Sequence, residues 1–276
     1  MKAVIGGKSK YGIAGCGAMG LPMARALLHE GFDVAGFDVR PVKEFGDFAD
    51  RMIADASEFS SRCDVVVCVV RDERQILDLC FDQQALFAVA DCPKTFVLSS
   101  TVSPHVVMRL RQQLPGDVVL LDAPMSGAPP AAISATLTFM VGGDKSDFEK
   151  HLPAFQAMGE KIHHLGELGS GMTAKVLNNF VAASTVVAVR NVLKQADVLG
   201  FDQKILLEVM AKSSGQTWFG SNFDALDWSG EGHDPANTIG ILEKDVRAFV
   251  DALPEGPEPL HEAVIDALRS LPKLEK

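Results

Sequence analysis

The run Gly15-Cys16-Gly17-Ala18-Met19-Gly20 constrains this chain more than any other segment, because of what flanks it. Tyr11–Ala14 reads as a strand leading into the glycines, Leu21–Leu28 as a helix leaving them, and Asp33–Phe37 as a second strand ending at Asp38. In a strand–turn–helix–strand setting the first glycine allows the tight turn. The second lets the backbone approach a pyrophosphate, and the third lets helix and strand pack closely. Amides at the helix N-terminus then face the phosphates, and an acid ending the second strand accepts hydrogen bonds from the adenosine ribose. A plain βα turn would use glycines too, but it gives no reason for the acid at that distance. The segment therefore predicts a dinucleotide site built from residues 15–20 and Asp38. The Asp38 carboxylate suits two ribose hydroxyls and repels a 2′-phosphate, which favours NAD. Arg40 pulls the other way, since a nearby guanidinium accommodates that phosphate; it equally stacks on adenine or lies in solvent. NAD is the expected cofactor, with NADP left open.

The 276 residues suffice for one large or two medium domains. Up to about residue 165 the pattern alternates strand and helix. Val42–Arg51 reads as a helix and Met52–Ala54 as a short strand. Asp64–Val70 reads as a strand buried on both faces. Thr95–Ser99, Val118–Asp122 and Thr136–Val141 read as further strands, with a helix at Val106–Gln113. This predicts an α/β, Rossmann-type doubly wound domain. From Gly171 the pattern changes. Met172–Leu199 has no internal turn signal and predicts a single buried helix, apolar on most faces. Helical patterns follow at Gln203–Lys212, Thr238–Leu253 and Glu262–Leu271, and no strand pattern returns. The expected division is residues 1–168, a dinucleotide domain, and 169–276, an all-helical domain for substrate and oligomerisation.

Composition narrows the partners. A formal net charge of −10 argues against a general nucleic-acid binder, which needs a basic surface. No apolar run approaches the roughly 20 residues of a membrane span, and Met1–Lys10 lacks the apolar core of a secretory leader. Cys16, Cys63, Cys68, Cys80 and Cys92 are odd in number and scattered, which suggests neither a disulfide framework nor a zinc site. A reducing cytosol is the expected compartment, and no metal is expected.

Four segments carry candidate chemistry. Leu98–Pro104 and Asp122–Gly127 each follow a strand, on the carboxyl edge where ligands bind in such sheets. Lys175 and Asn179 stand four apart near the start of the long helix, so they share a face. Lys244-Asp245 lies on a later helix. A lysine among apolar neighbours loses its preference for charge through desolvation and can exchange a proton with a substrate oxygen during hydride transfer. Asn179 can orient that oxygen, and Ser126 with the Gly127 amide can hold a carboxylate. Taken singly, Lys175 reads equally as a surface lysine and Asn178-Asn179 as a polar patch between helices.

Together these segments resemble the β-hydroxyacid dehydrogenase family, along nearly the entire chain. Residues 15–24 are similar to the family's cofactor signature. Asp122–Gly127 and Phe139–Gly143 resemble its substrate-loop region, Lys175–Asn179 its catalytic stretch, and Lys244-Asp245 its late Lys-Asp pair. The resemblance implies a nicotinamide-dependent oxidoreductase of short 3-hydroxy acids or their semialdehydes. Lys175 is then the general acid/base, Asn179 its partner, and Ser126 and Gly127 the anchors of a small carboxylate-bearing substrate. Thr101 and Lys244 line the nicotinamide end, and Val69 and Val70 also contact the cofactor. Asp245 either fixes Lys244 or forms a simple helix-surface pair. A Rossmann domain followed by a helical one, assembled as a homodimer or homotetramer, is the implied architecture.

Three departures stand out. Ala128, followed by Pro129-Pro130, and Ala135 replace glycines usual in the family, which implies a stiffer substrate loop. The chain is short after Leu271. Trp218 and Phe219, in a region that faces substrate in the family, either form an apolar wall or fill the helical core. Two rivals share the architecture: imine reductases, which usually differ at the lysine position, and non-catalytic dinucleotide-binding modules, which have lost it.

Overall fold

Two compact units, Met1–Lys175 and Val176–Lys276, make up the chain. The computed structural model describes residues 9–274, so nearly all of the Met1–Lys10 segment and the last two residues of the tail lie outside it.

The first unit carries strands β1 (Lys10–Ala14), β2 (Asp33–Phe37), β3 (Val65–Cys68), β4 (Thr95–Leu98) and β5 (Val119–Asp122). They pair in parallel in the order β2-β1-β3-β4-β5. The order reverses at β1, so a crevice opens at the carboxyl ends of β1 and β3, the usual ligand position in such sheets. Helices α1 (Gly20–His29), α2 (Ala56–Arg62), α3 (Glu73–Cys80) and α4 (Pro104–Gln113) form the crossovers. Every residue of β3 and β4 is buried, as strands covered on both faces require. Ile13, Leu27, Val67 and Phe139 belong to the core on one face, and Phe59, Phe96, Leu98 and Leu110 to that on the other.

Beyond β5 the sheet departs from the doubly wound pattern. After β6 (Met125–Ser126) and α5 (Ala128–Ile133), β7 (Leu137–Gly142) runs antiparallel to β5. Then α6 (Lys145–Met158) leads to β8 (Gly159–Gly166), parallel to β7. No strand was expected at β8, because Gly-Glu-Lys-Ile-His-His-Leu-Gly offers no apolar run; its ladder covers an edge while half its side chains stay exposed. Two other expectations are corrected. Val42–Arg51 is not an α-helix but two 3₁₀ turns broken at Gly46, whose φ of 56° no helix tolerates. Met52–Ala54 contributes only a single bridge, Met52 to Gly36.

Helix α7 (Ser170–Val198) contains the point of division. The second unit continues with α8 (Gln203–Met210), α9 (Trp218–Ser221), α10 (Thr238–Asp251) and α11 (Pro259–Arg269), around a core including Val186, Leu193, Phe219, Ile239 and Ile265. Contrary to the expectation from apolar runs, α7 is long and apolar enough to match a membrane span by length and composition alone, although polar residues interrupt it. Those polar residues explain its packing. Arg190 is buried and donates to the carbonyls of Ser229 (2.8 Å), Glu231 (2.7 Å) and Pro272, tying α7 to two loops. Nor is α7 buried on most faces: Leu177, Val181, Val192 and Val198 are exposed. Phe219 fills the core and stacks on Trp228, whereas Trp218 is 58% exposed and does not fill the core.

The backbone around α5 explains the two alanines. Gly127 (φ 136°), Ala128 (φ 56°) and Ala135 (φ 56°) all lie at positive φ. Both alanines therefore keep a conformation suited to glycine, at a cost of about 1–2 kcal/mol for a Cβ there. Ala128→Gly and Ala135→Gly should each raise stability by about 0.5–1 kcal/mol, after the larger unfolded-state entropy of glycine is subtracted. Thermal denaturation checks this, and a lower Tm in both variants would remove the strain reading.

Candidate active site

The glycine turn is built as a cradle. Gly15 has φ +93°, and a Cβ there would lie 2.7 Å from the Val69 carbonyl oxygen and 3.1 Å from Val70 Cγ1. A Cβ on Gly20 would meet the Gly15 carbonyl at 2.0 Å. Around Gly17, which is exposed, nothing lies within 4 Å. Cys16 turns its side chain into the core, while Ala18 is exposed and Met19 half-buried. No side chain caps the start of α1, and its first turn holds no acidic residue; the Leu21 and Met23 amides donate to the carbonyls of Gly17 and Met19, both at 3.2 Å, and Pro22 carries no amide hydrogen. Beside the turn lies a cavity of about 320 Å³, lined by Gly15, Phe37, Asp38, Val39 and Val70, with Gln75, Asp78, Gln83 and Gln84 as its polar wall. A cradle that a Cβ would fill, beside a cavity with an acid at its rim, fits a dinucleotide.

Asp38 is held firmly. Its Oδ2 accepts from the Cys16 amide (2.9 Å), and its Oδ1 from the Arg40 amide (3.1 Å). Arg40 is exposed to solvent, yet its guanidinium is held against Asp38. Its Nε donates to Asp38 Oδ1 and its Nη2 to Asp38 Oδ2 and the Cys16 carbonyl, with the guanidinium 4.8 Å above the Phe45 ring.

A second carboxylate organises the start of α7. Asp122 ends β5, is fully buried, and accepts from the amides of Gly169 (2.7 Å) and Met172 (2.6 Å). The chain packs so tightly here that a Cβ on Gly171 would meet the Met140 carbonyl at 2.3 Å. Burial pushes the Asp122 carboxyl up to about 6, against the pull of those amides. Lys175, three residues beyond Met172, is 7% exposed. The Val102 amide meets Met172 Sδ at 3.5 Å, which ties the turn carrying half-buried Thr101 to the same helix start. Ser126 pairs with Thr138 across β6 and β7 and is half-buried, as is Gly127. Gly127 is required by space as well as by φ, since a Cβ would meet that of Ala131 at 2.5 Å.

The second unit holds another cluster. Asn179, also 7% exposed, donates from Nδ2 to Asp245 Oδ2 at 2.6 Å. Lys244 Nζ lies 2.7 Å from Asp245 Oδ1. Asp245 is therefore no helix-surface pair but a buried acceptor fixing both residues.

Residues 10–166 match the family model described as the NAD binding domain of 6-phosphogluconate dehydrogenase. Residues 169–261 match the one described as the NAD-binding domain of NADP-dependent 3-hydroxyisobutyrate dehydrogenase. The chain is 36% identical to an NAD-dependent L-serine dehydrogenase of Pseudomonas aeruginosa over 216 residues, 74% of this chain and 70% of that protein. The chain belongs to the β-hydroxyacid dehydrogenase family. The human mitochondrial 3-hydroxyisobutyrate dehydrogenase is 27% identical over 265 residues, covering 93% and 79% of the two chains. A solved Mycobacterium tuberculosis 3-hydroxyisobutyrate dehydrogenase with L-serine aligns with TM-score 0.73 at 28% identity, over 94% of this chain and 91% of that one. This β-hydroxyacid dehydrogenase is an NAD(P)-dependent enzyme acting on CH–OH donors.

Sequence reasoning gave this dehydrogenase its glycines, Asp38 and the residues on α7, but assigned no role to Asp122 and left that of Asp245 open. Asp122 was visible only as the first letter of a loop motif. The polar wall of the cavity was missed with α3; its signal was Asp72-Glu-Arg-Gln75, since Asp72 caps α3 by accepting from the Gln75 amide at 3.0 Å.

The Asp122 environment carries a pH signature. Its folded value of about 6 lies above the unfolded one, so the folded chain binds the extra proton, and stability falls as pH rises from about 4 to about 6. In Asp122→Asn that part of the slope should disappear from urea-denaturation stabilities measured across this range. An identical wild-type and variant slope would overturn the assignment.

Proposed function

We propose that this enzyme interconverts a short 3-hydroxy acid and its semialdehyde, with NAD as the preferred cofactor. The observation that carries the reading is Lys175, a buried amine side chain on a helix whose first turn is pinned by Asp122, able to act as a base when neutral and as an acid when protonated. When bound, the nicotinamide supplies the hydride acceptor or donor. Residues 15–20 hold the pyrophosphate, Asp38 the adenosine ribose, and Val69 and Val70 flank the crevice. Thr101 and Lys244 are assigned to the nicotinamide end.

In the oxidative direction Lys175 accepts the hydroxyl proton as the carbon–hydrogen bond breaks, leaving the carbonyl; in the reductive direction it returns that proton to the oxygen. Asn179, oriented by Asp245, hydrogen-bonds the same oxygen. The substrate carboxylate is held by the Ser126 hydroxyl and the Gly127 amide, an anion site of neutral donors where β6 meets α5, whose first turn carries Pro129-Pro130. The L-serine named with two relatives makes a three-carbon hydroxy acid the first substrate to assay.

Lys175→Ala should lower kcat by about 10²–10⁴-fold while leaving dinucleotide affinity within about twofold. Steady-state assays on 3-hydroxyisobutyrate and L-serine, with NADH titration of the same variant, check both. Retained turnover would remove Lys175 from the chemistry.

We infer in addition a homo-oligomer assembled through α7. Leu177 and Val181, 51% and 63% exposed, are four apart and present an apolar stripe that water does not favour. Sedimentation equilibrium should give a dimer or larger species at micromolar concentration; a strictly monomeric protein would count against it.

A further inference from the structure

Arg40 and Asp38 together leave the ribose acceptor with no spare capacity. A carboxylate has about four lone-pair positions. On Asp38 all four are taken: Oδ1 accepts from the Arg40 amide (3.1 Å) and Nε (3.1 Å), and Oδ2 from the Cys16 amide (2.9 Å) and Arg40 Nη2 (3.2 Å). The two backbone donors are fixed by the turn. The two side-chain donors belong to a residue whose side chain is 46% exposed, whereas the Asp38 side chain is 10% exposed. A ribose hydroxyl that reaches Asp38 must therefore take the place of the guanidinium, not add to it.

We propose that Arg40 is a two-position residue that sets the choice between NAD and NADP. In the first position it closes over Asp38, braced by the Cys16 carbonyl (2.9 Å) and the Phe45 ring. The adenosine ribose displaces it. Because Arg40 is only two residues from Asp38, the released guanidinium stays at the rim, beside the 2′ position. With NAD it has no anion to meet, so the broken Arg40–Asp38 bonds are a net loss. With NADP it meets the 2′-phosphate and offsets the repulsion from Asp38. Asp38 alone would give strong preference for NAD; the displaced arginine narrows that preference from both sides. The proposal rests on Asp38 as the ribose acceptor.

Isothermal titration of the full chain with NAD⁺ and with NADP⁺, for wild type, Arg40→Met and Asp38→Ala, tests both layers. Methionine keeps an apolar stem against Phe45, and a circular-dichroism melt verifies that each variant is folded. Wild type should bind both dinucleotides with Kd values within about tenfold of each other. Arg40→Met should tighten NAD⁺ by about threefold or more and weaken NADP⁺ by about tenfold or more. Weaker or unchanged NAD⁺ binding, or unchanged NADP⁺ binding, in Arg40→Met overturns the two-position role. Asp38→Ala should weaken NAD⁺. If it does not, the ribose assignment itself fails, and the proposal with it, whatever Arg40→Met does.

Discussion

The start of α7 depends on one buried carboxylate. Asp122 receives two backbone amides from the start of α7, at 2.7 and 2.6 Å, and it does so from the last residue of a sheet strand. An α-helix begins with amides that its own carbonyls cannot reach. Here a strand supplies the acceptor, so helix position and sheet position become a single geometric fact. Glycine at 171 lets the backbones close to a distance that any Cβ would forbid. A side chain one turn further on, Lys175, then inherits its place from the sheet without belonging to it.

The same economy recurs at Asp245, which takes the Asn179 amide on one oxygen and the Lys244 ammonium on the other. Truncating one partner of such a buried group leaves an uncompensated charge, which is far more costly than the net worth of the pair. Asp38 is the third instance, closing the glycine turn through the Cys16 amide. In each case an acid does no chemistry itself. It fixes the group beside it.

Much of this was legible in residues alone. Glycines 15, 17 and 20 with Asp38 specify a turn that few other sequences make, and the uninterrupted Met172–Leu199 pattern permits only a long helix. Other features were hidden for definable reasons. The strand β8 pairs at an edge, where burial does not force alternating apolar residues, so Gly159–Gly166 carries no periodic signal. Val42–Arg51 has the composition of a helix, but one glycine at positive φ divides it. The roles of Asp122 and Asp245 depend on contacts 47 and 66 residues distant along the chain, which no local pattern encodes. The alanines at 128 and 135 show the reverse: the substitution suggested a changed loop, yet both residues adopt the positive φ that favours glycine.

Cys16 sits inside the glycine turn that follows β1. Its side chain is 1% exposed, and burial, reinforced by the neighbouring Asp38 charge, pushes the thiol up to about 12. Nucleophilic attack requires the thiolate, and all five cysteines of this chain are buried and free. Alkylating agents and peroxide thus find no ready handle on the turn, which carries its sulfur as ordinary packing material.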